Sequence, residues 1–247
     1  MREPRRKVIK LEVGAGEILG LVGPNGAGKT TTLRTLSGII PPTHGQLYIA
    51  GYDVVADPVA AKRQMAYVPD DPKLFETLTV LEHLEFVAAA YRVGECGQRM
   101  TELLEQFDLY EKRNTVAQEL SRGMRQKVAI LCAYLHDPKV MLFDEPLTGL
   151  DPRGIRNMKD SILQRRDAGA TVVISSHLLS LVEDICTHLL ILNRGQKVFC
   201  GRIGEARAAF ADLHADASLE EVFFRATEAA ETPPAANEGP QGATPDT

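Results

Sequence analysis

The stretch "EILGLVGPNGAGKTTTLR" (Glu17–Arg34) constrains the fold of this 247-residue chain more than any other. A short apolar run ends in Gly23, a turn follows, and a helical pattern continues through "GKTTTLRTLSG", so the order is strand, loop, helix. The turn itself, Gly23–Thr30, fits G-x-x-x-x-G-K-[ST]. Gly26 and Gly28 let the backbone bend until successive N–H groups face one anion, and the following helix adds its positive end. Gly23, Pro24, Asn25, Gly26, Ala27, Gly28, Lys29, Thr30 and Thr31 are therefore the phosphate-facing candidates. Lys29 can reach the outer phosphates, and the Thr30 hydroxyl can ligate Mg2+.

Downstream, "GQLYIAG" and "MAYVP" have strand character, and the pattern then turns helical from "TVLEHLEFVAAAYR" to "SRGMRQKVAILCAYL". Thr79 and Glu82 have the spacing of a capping box at the start of that region. Apolar strands return as "KVMLFDEP", "ATVVISSH" and "HLLILN", separated by helical stretches. Such alternation predicts a parallel sheet covered on both faces, with an α-helical insertion where the alternation stops. The expected division is N-terminal β elements and phosphate loop at 1–71, the helical insertion at 72–137, and the rest of the core at 138–203. "RGQKVFCG" predicts a terminal hairpin. A helical extension at 204–230 contains "SLEEVFFRATEAA", with Ser218 and Glu221 as a capping box. Residues 231–247 hold Pro, Gly and small polar residues with nothing bulky to bury, which predicts a disordered tail.

A net charge of −5 offers no bulk attraction for nucleic acid, so no such partner is expected. Cys96, Cys132, Cys186 and Cys200 are scattered without a C-x-x-C pair, which favours free thiols over a disulfide or zinc set. No apolar run reaches the ~18 residues of a membrane-spanning helix, although the chain could dock on a protein that has one.

Two further segments carry chemistry. Asp144 emerges from the apolar run Val140–Phe143, at the carboxyl end of a strand, where parallel sheets place ligands. It can position Mg2+, while Glu145 points elsewhere and can accept a proton from water. In "LSRGMRQK" (Leu120–Lys127), Ser121 and Gly123 start a helix with Val128, Leu131, Cys132 and Leu135 on one face. The exposed N–H groups there make a second anion site, distant in sequence from the first.

At this point the chain resembles the ATP-binding subunit of an ABC transporter. "GPNGAGKT", "YVPDDP", "LSRGMRQK", "VMLFDEP", "LTGLDP" and "ISSH" stand in that family's order, covering the chain to about residue 225. The resemblance implies an α/β P-loop NTPase (RecA-like) core with N-terminal antiparallel β elements and the helical subdomain. It implies ATP and Mg2+ as ligands, and two copies, or paired ATPase subunits, packed head to tail. Ser121 and Gly123 would then face the γ-phosphate held by the other copy's Lys29, with Arg122 between them among the nucleotide-binding residues. Asp144 and Thr30 would hold Mg2+, Glu145 would polarise the water, Asp151 would cross the interface, and His177 would contact the γ-phosphate. "YVPDDPKLFETLTVLEHL" and "DASLEEVFF" are most similar to the subfamily working with ABC-2-type membrane subunits, often exporters, which implies a cytoplasmic position on the inner face of the membrane.

Some positions depart from the family's pattern. Where a glutamine commonly follows the proline of "YVP", this chain has Asp70, retained as a site and metal-ligand candidate because a carboxylate can ligate Mg2+. Arg122 and Met124 replace the more usual glycine and glutamine. The first aromatic is Tyr48, and the strand carrying Ile9, Leu11 and Val13 has no stacking residue before it, as though the chain began too late to include one. Stacking contributes roughly 1–3 kcal/mol, so base preference is expected to be weak. A soluble ABC-type ATPase and a weakly hydrolysing regulatory module remain as alternatives.

Overall fold

In the computed structural model, residues 9–210 and 217–229 are described. The tail expected at 231–247 lies outside them. Five strands run parallel: β1 (Ile18–Val22), β4 (Met65–Val68), β5 (Val140–Asp144), β6 (Thr171–Ser175) and β7 (His188–Asn193). β8 (Gln196–Arg202) closes one edge antiparallel to β7, as the expected hairpin, so the order is β4-β5-β6-β1-β7-β8. A separate ribbon pairs β2 (Tyr48–Ile49) with β3 (Tyr52–Asp53).

Alternation along each strand fills two cores. Ile18 and Val22, Met141 and Phe143, and Val172 and Ile174 face one cluster. Leu19 and Leu21, Val140 and Leu142, and Val173 face the other, with Leu33 of α1 (Lys29–Leu36). This is the period-2 pattern of a sheet buried on both faces. Gly20 is small for a reason: a Cβ there would lie 2.5 Å from Val182 Cγ1, on α7 (Leu179–Ile185), which closes down onto β1.

The insertion contains α3 (Val80–Tyr91), α4 (Gly97–Gln106) and α5 (Arg122–Leu135). Thr79 and Glu82 form the expected capping box on α3. α5 is more deeply buried than a single apolar stripe requires: Gln126, Val128, Ile130, Leu131, Ala133, Tyr134 and Leu135 are all inside, because α3, α4 and β4 surround it. α6 (Pro152–Asp167) follows β5, α8 (Ile203–Ala208) follows β8, and α9 (Leu219–Ala229) ends the described chain with Ser218 and Glu221 exchanging the expected bonds.

Two expectations change. Ile9, Leu11 and Val13 pack against the second cluster, but residues 9–14 pair with no strand, so among the described residues the N-terminal antiparallel pairing is the β2–β3 ribbon. A short helix, α2 (Pro58–Arg63), also stands within 1–71, capped by Asp57 with proline in its first turn.

Candidate active site

The site lies along one edge of the sheet because β5, β6 and β1 are neighbours and end together. After β1 the loop opens: Gly26 and Gly28 have φ of 78° and 105°, the left-handed region in which glycine carries no Cβ penalty. Its base is clamped, since a Cβ on Gly23 would lie 2.4 Å from the Leu192 carbonyl oxygen. Lys29 is 9% exposed and donates from Nζ to the Gly23 carbonyl at 2.7 Å, curling the ammonium over its own loop. Thr30 and Thr31 are exposed at the start of α1.

Asp144 is 2% exposed. The ladder pairs it with Ser175, whose hydroxyl donates to Asp144 Oδ1 at 2.6 Å. Tyr67, on β4, offers its hydroxyl to Oδ2 at a longer 3.5 Å. Burial raises the Tyr67 pKa, against the lowering pull of Arg34, which reaches the same hydroxyl. Asp144 makes no ion pair among the described residues. A buried carboxylate supported only by hydroxyls is a costly charge unless a cation joins it. This all-oxygen set at the carboxyl end of β5 suits Mg2+. Among the described residues no three His, Cys, Asp or Glu side chains gather as a metal cage, so an ion here would complete its shell with water and phosphate oxygens.

Glu145 turns away from the strand through a left-handed φ of 49°, which for a non-glycine residue costs about 1 kcal/mol or more. Its N–H is shared between the Ser175 carbonyl and hydroxyl oxygens, and its Oε2 accepts from the His177 N–H at 3.2 Å and Nδ1 at 2.7 Å. The turn thus places Glu145 and His177 in direct contact.

The second anion candidate is the start of α5. Ser121 Oγ accepts from the Met124 N–H at 3.3 Å, capping its own helix. Gly123 packs against the loop after β5 so closely that a Cβ would lie 2.3 Å from the Gly149 carbonyl oxygen. Asp151 caps α6, accepting from the Gly154 N–H at 3.0 Å. Asp70 pairs with Arg122, Nη2 to Oδ1 at 3.1 Å.

The sequence reading missed the hydroxyls of Ser175 and Tyr67, although "ISSH" and "AYVP" display them at strand ends beside the quoted motifs. It also missed Gly149, for which "LTGLDP" offered a glycine but no partner.

Comparison with known proteins agrees with this geometry. A family model described as ABC transporter matches residues 7–148, more than half of the chain. EcsA of Bacillus subtilis (strain 168), an ABC-type transporter ATP-binding protein, is 34% identical over 228 residues, 92% of each chain. LnrL of the same organism, a linearmycin resistance ATP-binding protein, is 33% identical over 80% of this chain and 67% of its own. A solved structure described as an ATP binding subunit of an ABC transporter superposes with a TM-score of 0.83 at 35% identity, covering 87% of this chain and 90% of that one. Loop, buried carboxylate, fold and relatives agree: the chain belongs to the ABC transporter family, as one of its ATP-binding proteins and an ATPase.

Proposed function

We propose that two copies of this chain, or this chain and a paired ATPase subunit, close head to tail around two ATP molecules and power export through a separate ABC-2-type membrane subunit. The observation that carries this reading is the unpaired, buried Asp144 carboxylate at the same sheet edge as an open phosphate loop. The transport reading draws on EcsA and LnrL, the latter named for resistance. No helix among the described residues is long and apolar enough to cross a membrane. In this reading the chain works at the cytoplasmic face of the membrane through that partner.

In this scheme Lys29 exchanges the Gly23 carbonyl for a phosphate oxygen, and the loop N–H groups cradle the same phosphates. Thr30 and Asp144 hold Mg2+, which supplies charge neutralisation on the phosphate oxygens. Glu145 takes the proton of the attacking water, and the His177 bond to Oε2 aims its carboxylate. Ser121 and Gly123 meet the γ-phosphate bound by the other copy, and Asp151 lies at that seam. ATP favours the closed pair and hydrolysis reopens it.

Glu145→Gln is expected to lower phosphate release by about 10²- to 10⁴-fold while ATP-driven association persists. Unchanged turnover in that variant sinks the assignment of the base. Affinity capture of the tagged chain from solubilised membranes tests the transport reading, with co-purification of a polytopic subunit as the expected result. Recovery with ribosomes or DNA instead points to a soluble ABC-type ATPase.

A further inference from the structure

We infer that Arg122 sets the affinity for the nucleotide presented by the partner copy, and that Asp70 is its intrachain counter-ion, given up when that nucleotide arrives. The inference rests on the head-to-tail reading above.

Asp70 and Arg122, 52 residues apart in sequence, meet in space. Arg122 is the first residue of α5, between Ser121 and Gly123, and its Nη2 lies 3.1 Å from Asp70 Oδ1, with both side chains about half exposed. The pair is not isolated. Lys73 chiefly, and then Arg122 and Arg125, hold the neighbouring Asp71 carboxyl below its usual range. The segment after β4 therefore presents two carboxylates to a helix start that carries two guanidiniums. One turn along α5, the buried Gln126 donates from Nε2 to the Pro69 carbonyl at 3.4 Å, and its Oε1 has no partner among the described residues. The Arg122 stem lies along Gly149, where a Cβ would be 3.4 Å from its Cγ, so the guanidinium extends outward from the helix end.

Such a contact is made to be exchanged. An exposed ion pair contributes little by itself, and a guanidinium accepts phosphate oxygens in the same bidentate manner as a carboxylate. A triphosphate arriving at Ser121 and Gly123 brings more negative charge than Asp70 and also faces the positive end of α5. Arg122 then turns to the phosphate. Asp70 loses its cation beside a new anion and is repelled, while Gln126 still holds the Pro69 carbonyl. A neutral residue at 122 would need no counter-ion, and an arginine there without Asp70 would bind anions without restraint.

The test uses the full chain carrying Glu145→Gln and reads the ATP concentration giving half-maximal dimer in sedimentation experiments. Arg122→Gln is expected to raise that concentration, and Asp70→Asn to lower it about two- to five-fold, the range of an exposed pair. In the double variant Asp70→Asn is expected to have no further effect, because its role runs only through Arg122. The differences shrink at high salt. If Asp70→Asn lowers the concentration equally without Arg122, Asp70 acts on the phosphates or metal directly and the inference is overturned. An unchanged concentration in Arg122→Gln overturns it as well. Absence of any ATP-driven dimer in the Glu145→Gln chain removes the pairing of two copies on which the inference rests, an outcome separate from the other two.

Discussion

In the proposed scheme the carboxyl edge of the sheet and the start of α5 both meet phosphate, yet they are held in different ways. At the sheet edge, Asp144 and Ser175 face each other because the β5–β6 ladder registers them, and the Gly23 backbone presses on Leu192 of β7. Moving any of these means moving a central strand. At the start of α5, position depends on a capping serine, one backbone contact to the exposed Gly149 and half-exposed charge pairs. Each of these is individually weak and can be remade. One proposed phosphate site is fixed by the architecture; the other is free to answer to the partner that the same proposal requires.

This contrast ranks substitutions. Gly23→Ala is expected to be the most damaging, at about 3 kcal/mol, because backbone and a packed methyl both block the new Cβ. For a chain of this size, that lowers Tm by roughly 6–12 °C in a thermal melt. Ser175→Ala strips the buried Asp144 of its shorter hydrogen bond and is expected to cost about 2 kcal/mol, recovered in part by added Mg2+ and nucleotide. Gly123→Ala meets an even closer carbonyl, but that carbonyl belongs to Gly149, an exposed glycine outside the sheet that can yield more readily than a strand. Its expected cost is about 1 kcal/mol in the melt, with a disproportionate loss of ATP turnover. A loss from Gly123→Ala equal to that from Gly23→Ala would erase the distinction.

A control within the helical region comes last. The Tyr134 hydroxyl is fully buried, 2.9 Å from Ser161 Oγ, and burial pushes its pKa up to about 12. With the folded value above the unfolded one, its contribution is complete below pH 10 and is lost as pH rises toward 12. Tyr134→Phe is expected to cost about 1 kcal/mol at neutral pH and to flatten part of the alkaline decline, without altering ATP-driven association.

The strands of the core were legible because runs such as Val140–Phe143 and Thr171–Ser175 are apolar on both faces and flanked by turn residues. The alternation at Ile9, Leu11 and Val13 was also real, and it does bury them, but a strand needs a neighbour and β2 and β3 pair with each other. α2 escaped because six residues are too few for helical periodicity, although Asp57 and Pro58 carried the start signal. Within the site, local motifs gave Lys29, Asp144, Glu145 and His177. The bond between Asp70 and Arg122 joins residues 52 apart, and no spacing rule connects them. The same is true of Tyr67 and Asp144, which meet only because β4 lies beside β5.

The placement of β1 also has a consequence for how the chain is made. This strand carries the phosphate loop, yet among the described residues it pairs with β6 and β7 and with nothing synthesised near it. On a translating ribosome, "ILGLV" emerges early and waits for β6, whose first residue follows about 150 residues later, a delay of roughly 7–30 s at ordinary elongation rates. Through that interval the most apolar strand of the nucleotide site has no ladder to join, and the loop behind it has no clamp from Leu192. The loop proposed to grip phosphate is therefore complete only once β6 and β7 have followed it.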